Sequence, residues 1–136
     1  MFKVKVIAIG KSKERWLQEA LADYEERLQG RLRFEWLLVE DDKALSSLCM
    51  KEARLIALDR LGEMWSSEEL AKKWVAEARI AFVIGRPKGL PKAVLERASL
   101  RWSLSALTFP NQIVRLLLVE QIYRSLEIEK GSPYHK

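Results

Sequence analysis

The sequence predicts an α/β fold, a parallel sheet with helices on both faces. Strand-like and helix-like segments alternate along the whole chain, the segment 54–59 (RLIALD) is compact and apolar as a strand buried on both faces should be, and no linker or repeat divides the 136 residues. With 49% hydrophobic residues, six glycines and four prolines, the composition suits one globular domain over 1–136. A domain near this size buries roughly two-thirds of the surface its unfolded chain exposes, so no metal or disulfide is needed to hold a core.

Residues 2–9 alternate and end at Gly10, and their Val, Ile and Phe content reads as a strand with a turn after it. Leu17, Ala20, Leu21, Tyr24 and Leu28 then recur at helical spacing, so 12–28 is expected to be an amphipathic helix ended by Gly30. A strand over 33–39, a polar stretch at Asp41 to Lys43 and a short helix over 44–53 follow. The next strand is 54–59, with a turn at Gly62. Ser66 with Glu69 three residues on forms a capping box, and Leu70, Ala71, Trp74, Val75 and Ala78 make that helix's inner stripe. Residues 80–85 (IAFVIG) are a strand, and Pro91 opens a short helix through Ala98. Residues 102–106 are the final strand, and Pro110 opens a helix to about Glu127.

The net charge is +5, and its distribution is more informative than its sum. Residues 35–69 carry nine acids against four bases, whereas 70–136 carry twelve bases against five acids. A basic C-terminal half suits a polyanion, because each phosphate neutralised by Lys or Arg releases counterions, although a solvated basic face looks the same in sequence. Cys49 is the one cysteine and has no internal partner. No signal-like N-terminal pattern and no apolar run of membrane-spanning length is present. The expectation is a cytoplasmic protein without membrane or metal.

Three segments leave the C-terminal ends of predicted strands, where α/β proteins gather ligands: residues 58–62, 85–90 (GRPKGL) and 104–109 (LSALTF). The middle one is neither GxGxxG nor a phosphate loop; its glycines let a ligand or a neighbouring backbone approach closely. The last mixes small, hydroxylic and apolar residues suited to wrapping an adenine or a methionine side chain. Each also has an ordinary reading, the middle as a strand-to-helix turn and the last as a helix entry capped near Thr108. The helix after Pro110 is apolar almost all round over 113–126, which argues burial against the sheet and against a second subunit. Glu120 and Arg124 on it are spaced for a surface ion pair. The end of the chain, 131–136, holds the one histidine, His135, between Tyr134 and Lys136. A terminal histidine is often frayed, yet these three side chains suit stacking on a base, moving a proton and touching phosphate.

Taken together, IALD (56–59), VIGRPKGL (83–90), LSALTFPNQIVRLLLVEQIYR (104–124) and PYHK (133–136) resemble the ribosomal large-subunit methyltransferase H family, pseudouridine N3-methyltransferases of the SPOUT superfamily. The resemblance runs from VKVIAIGK (4–11) to the last residue and is most specific over 102–136. It implies a trefoil-knotted α/β fold, which general topology argues against, a homodimer, and S-adenosylmethionine as cofactor. It also implies 23S rRNA as substrate, within the large subunit or whole ribosome. Position by position, cofactor contacts fall on Leu58, Gly85, Leu104, Ser105, Ala106, Leu107, Thr108 and Phe109. Tyr134 and His135 match the tail brought to the target base, and Glu120 and Arg124 match the EQ-x-YR helix; these four are the catalytic candidates.

The chain departs from the family pattern at three places. A glycine pair after the fourth strand is here Gly85 and Arg86, TFPHQ reads Thr108, Phe109, Pro110, Asn111 and Gln112, and the region 41–53 is short. Methyl transfer from a sulfonium needs positioning more than a covalent nucleophile, which fits a chain without an activated Ser or Cys. The target imide must lose a proton, and His135 is the available imidazole, with Arg124 or Lys136 as electrostatic partners. In a dimer, the tail of one subunit is expected to complete the cofactor pocket of the other. The competing reading is a noncatalytic ribosome-associated RNA-binding dimer, which the basic half permits and the Gly85-Arg86 loop favours. A flavodoxin-like nucleotide enzyme fits the alternation but lacks a phosphate loop.

Overall fold

The computed structural model describes residues 1–136. Five strands and five helices alternate as β1 (Phe2–Ile9), α1 (Arg15–Arg27), β2 (Leu32–Val39), α2 (Asp42–Cys49), β3 (Leu55–Met64), α3 (Ser67–Trp74), β4 (Arg79–Ile84), α4 (Lys92–Arg97), β5 (Leu100–Ser103) and α5 (Asn111–Lys130). The strands form one sheet in the order β2-β1-β4-β3-β5, and every pairing in it is parallel.

The two-residue period of the strands divides the core between the faces. Val4, Val6 and Ala8 of β1, Ile80, Phe82 and Ile84 of β4, and Ile56 of β3 point to one side, where Leu70 and Trp74 of α3 and Leu118, Ile122 and Leu126 of α5 pack on them. Ile7, Leu55, Ala57, Ala81 and Val83 point to the other, covered by Leu45 and Cys49 of α2 and Val94 of α4. Helices therefore cover both faces, as the alternation predicts.

Several predicted boundaries shift for identifiable reasons. The first helix begins at Arg15 and not at residue 12, because Ser12 is drawn into a loop where its hydroxyl accepts a hydrogen bond from Arg115. The expected turn at Gly62 is absent: β3 runs on to Met64. Leu58 and Glu63 both pair with Trp102, so residues 59–62 bulge out of the ladder. A Cβ on Gly62 would lie 2.6 Å from the Arg101 carbonyl oxygen, so the glycine serves close backbone approach and not a turn. The last strand lies at Leu100–Ser103, earlier than 102–106, because Ser103 Oγ and Ser105 Oγ fold the following residues into a local turn. The capping box stands as predicted: Ser66 Oγ accepts from the Glu69 amide at 3.1 Å and Glu69 Oε1 from the Ser66 amide at 3.2 Å. Pro110 caps α5, and the helix continues past Glu127 to Lys130, where Gly131 turns left-handed at φ 75°.

Candidate functional site

Because β4, β3 and β5 are neighbours and all run the same way, their C-terminal loops open on one edge of the sheet. Those loops enclose a cleft of about 420 Å³, within the range of small-molecule sites. Of the residues that the resemblance assigns to a cofactor, Leu58, Gly85, Leu104, Ser105, Leu107, Thr108 and Phe109 line it. Ala106 does not, being exposed at the tip of the turn. The bulge at 59–62 brings Asp59, Arg60 and Leu61 to the cleft's rim. Helix α5 has no side-chain cap at its N-terminus, so Thr108 does not cap it and is instead part of the cleft lining.

Gly85 is glycine for a local reason. A Cβ there would lie 2.8 Å from the Leu90 side chain and 3.1 Å from the Gly89 carbonyl carbon, and Gly89 itself has a φ of 104°. The loop thus closes on itself, with an Arg86–Gly89 bridge across it. Arg86, which stands where a second glycine is usual in the resemblance, sends its side chain toward the start of α2. It donates to the Glu40 carbonyl at 3.3 Å and lies 3.7 Å from Asp42, as Lys88 lies 3.9 Å from the same carboxylate.

Two cleft residues had no role assigned from their sequence pattern: Asn111, noted only as a departure from the resemblance, and Val114. Both, in the first turn of α5, form one wall. Asn111 Nδ2 donates to the Gly85 carbonyl at 2.9 Å, and its Oδ1 accepts from Nε of Arg115, a fully buried arginine. The signal in the sequence was a charged residue inside an apolar helix, four places after an amide.

The four catalytic candidates form a second cluster, Glu120 and Arg124 on α5 with Tyr134 and His135 of the following tail folded against them. Arg124 donates through Nε to Glu120 Oε1 at 3.0 Å, and its second amino group lies 3.3 Å from Oε2. The Tyr134 hydroxyl donates to the same Oε2 at 2.5 Å. The Tyr134 ring packs edge-on against Tyr123 at 4.9 Å, with the Arg124 guanidinium 4.9 Å from its centroid. Burial, and then the bond to Glu120, push the Tyr134 hydroxyl above its ordinary range. The Glu120 bond likewise raises Arg124. Arg124 also reaches His135 Nδ1 at 3.1 Å. A guanidinium only donates, so Nδ1 is the acceptor and a neutral ring carries its proton on Nε2, 3.4 Å from Glu68 Oε1. Glu68 is held below the usual carboxylate range by its own backbone hydrogen bond and then by His135. The tail is therefore ordered and not frayed.

None of Glu120, Arg124, Tyr134 and His135 lines the cleft. Glu120 lies six residues beyond Val114 on one helix, about 9 Å along its axis. A single chain thus brings the cofactor candidates together, and the catalytic candidates together, but not the two groups to each other.

No cluster of His, Cys, Asp and Glu is arranged to hold a metal ion. No helix is long and apolar enough to cross a membrane.

The family model described as "Predicted SPOUT methyltransferase" matches residues 2–135. The chain is 43% identical to the Ribosomal RNA large subunit methyltransferase H of Protochlamydia amoebophila over all of both chains. It is 37% identical to the protein of the same name from Carboxydothermus hydrogenoformans, over 98% of this chain and 99% of that one. The Heliobacterium modesticaldum protein of that name is 38% identical over all of both, in an alignment of 161 positions; against 136 residues here, that relative carries segments this chain lacks. The match covers the sheet, the three loops and the tail alike, and the chain belongs to the SPOUT methyltransferase family, alongside proteins named ribosomal RNA large subunit methyltransferase H.

Proposed function

We propose that the chain is an S-adenosylmethionine-dependent methyltransferase of 23S rRNA, acting in the cytoplasm on N3 of a pseudouridine in the large subunit or assembled ribosome. We propose also that it is a homodimer with a trefoil knot in its C-terminal half. The observation that carries the reading is the convergence of residues 58–61, 85–90 and 104–109 on one cleft in a chain of a methyltransferase family.

The lining fits the cofactor. Leu58, Leu104 and Val114 offer apolar contact to an adenine or a methionine chain. Ser105 and Thr108 offer hydroxyls, and Gly85 a backbone without a side chain of its own. S-adenosylmethionine supplies an electrophilic methyl group on a sulfonium. What remains for the protein is to hold the target nitrogen against it and to favour loss of the imide proton. Arg60, Arg86 and Lys88 on the rim suit neighbouring RNA phosphates.

The tail cluster stands apart from the cleft in its own chain, which supports a site completed across a dimer interface. Leu61 and Leu107 at the cleft's mouth are 84% and 68% exposed, and Ile113, Leu116 and Leu117 of α5 are only half-buried. Such an apolar surface fits a second copy of the chain. For His135 to take the imide proton, its Nδ1 must leave Arg124, so target binding would unlatch the tail. Glu120 would then keep Arg124 oriented as a cation beside the developing anion.

Calorimetry with S-adenosylmethionine tests the reading. Saturable binding is expected, lost in Thr108→Trp, whose indole would fill the cleft from an exposed position. A folded, dimeric wild-type protein that takes up no S-adenosylmethionine, with or without ribosomes, would overturn it.

A further inference from the structure

The Arg115 side chain is fully buried although no carboxylate touches it. Its Nε donates to Asn111 Oδ1 at 2.8 Å, one amino group to Ser12 Oγ at 2.9 Å, and the other to the Ile9 and Gly10 carbonyls at 2.8 and 2.9 Å. Burial lowers its pKa below the ordinary arginine value, the mark of a charge kept out of water at a cost. A leucine would fill such space without that cost, so the guanidinium is there for what it orients.

A guanidinium has no acceptor. It therefore fixes the Asn111 amide with Oδ1 toward itself and Nδ2 away, toward the Gly85 carbonyl at 2.9 Å. Gly85 follows β4 and begins the loop 85–90 on one side of the cleft, and Asn111 begins α5 on the other. The relay ties the end of β1, the start of α5 and the loop after β4 into one rigid corner.

We propose that Asn111 is a positioning residue of the cofactor cleft: oriented by buried Arg115, it sets the Gly85 carbonyl and with it the loop 85–90. The inference rests on the cleft being the cofactor site. The position demands a group that accepts from Arg115 and donates to Gly85 at once. Asparagine does both at every pH. Aspartate accepts twice and donates nothing. A neutral histidine accepts with one ring nitrogen and donates with the other, but an imidazolium only donates and faces the Arg115 charge.

The test uses Asn111→Asp and Asn111→His beside the wild type, with thermal melts, S-adenosylmethionine titrations and hydrogen exchange of the Gly89 amide. That amide donates to the Arg86 carbonyl at 2.8 Å within the loop. A purely structural role predicts that Asn111→Asp, gaining an ion pair with Arg115, keeps its melting temperature and its cofactor affinity. The proposal predicts an intact melt, with Gly89 exchange faster and cofactor affinity weaker, each by at least about tenfold. Asn111→His should bind nearly as the wild type does at about pH 8 and lose about tenfold by about pH 5.5. The other charges lining the cleft, Asp59, Arg60, Arg86 and Lys88, are common to all three proteins and cancel in the comparison. Unchanged Gly89 exchange in Asn111→Asp would overturn the proposal whether or not cofactor binds. Faster exchange in a protein whose wild type binds no cofactor would uphold the relay and overturn the cofactor reading. If Asn111→Asp is unfolded, Asn111→His at the two pH values decides: affinity and Gly89 protection that keep the same ratio to the wild type at both would overturn the proposal.

Discussion

The Tyr134 hydroxyl and the Glu120 carboxylate meet at 2.5 Å, so the last residues of the chain are fastened to a helix position fourteen residues earlier. The bond is charge-assisted, and the Arg124 guanidinium on the same carboxylate completes a latch.

The latch gives the protein an alkaline dependence whose sign follows from the direction of the shift. Tyr134 is raised above the ordinary tyrosine value of about 10. Its contribution is therefore fully present below about pH 10 and lost as pH rises through the higher folded value. Tyr123, raised by burial and by Glu127, adds in the same direction. Removing the hydroxyl in Tyr134→Phe should cost about 1–2 kcal/mol at neutral pH and flatten the fall of stability at high pH. Urea melts at neutral and alkaline pH check both.

His135→Ala should leave S-adenosylmethionine affinity unchanged, since His135 is not part of the cleft lining. It should lower single-turnover methylation of ribosomes by about 100-fold if the imidazole takes the imide proton. Turnover equal to that of the wild type would remove His135 from the chemistry and leave it a tail contact.

Gly62→Ala should cost about 1–3 kcal/mol despite a position that reads as an ordinary surface turn. The added Cβ meets the Arg101 carbonyl oxygen at 2.6 Å and the Trp102 amide at 2.9 Å, backbone atoms that cannot swing aside. Denaturant melts measure the loss. Gly85→Ala meets mainly the Leu90 side chain, which can give, so it should weaken cofactor affinity more than stability.

If the tail of one subunit serves the cleft of its partner, two inactive variants should complement. Mixing a protein cut after Lys130 with Thr108→Trp forms heterodimers that hold one complete site. About a quarter of wild-type activity should return when subunits exchange freely. No recovery, with heterodimers demonstrated, would mean that each chain uses its own tail.

What the sequence made legible was local. The capping box at Ser66 and Glu69, the alternation of 2–9 and the helical stripe at Leu17 and Leu21 depend on neighbours within a turn or two, so their residues carry the signal. The strand order did not, because pairing β4 between β1 and β3 is decided by long-range packing. Gly62 misled for the same reason: its glycine answers to Arg101, thirty-nine residues away, and nothing local distinguishes that from a turn. The cofactor candidates were assembled by resemblance before any geometry, and seven of the eight line the cleft. Asn111 stood out only as a departure from the family pattern, and Arg115 not at all, because their partners, Gly85 and the end of β1, come near only in the folded chain.

The central claim is methyl transfer, and its most direct test is a reaction of the purified protein with ribosomes and S-adenosylmethionine carrying a labelled methyl, followed by mass-spectrometric mapping of the rRNA. The account predicts one labelled methyl on N3 of a pseudouridine in 23S rRNA, absent with Thr108→Trp. A folded protein that binds ribosomes and S-adenosylmethionine yet leaves the rRNA unlabelled would contradict it.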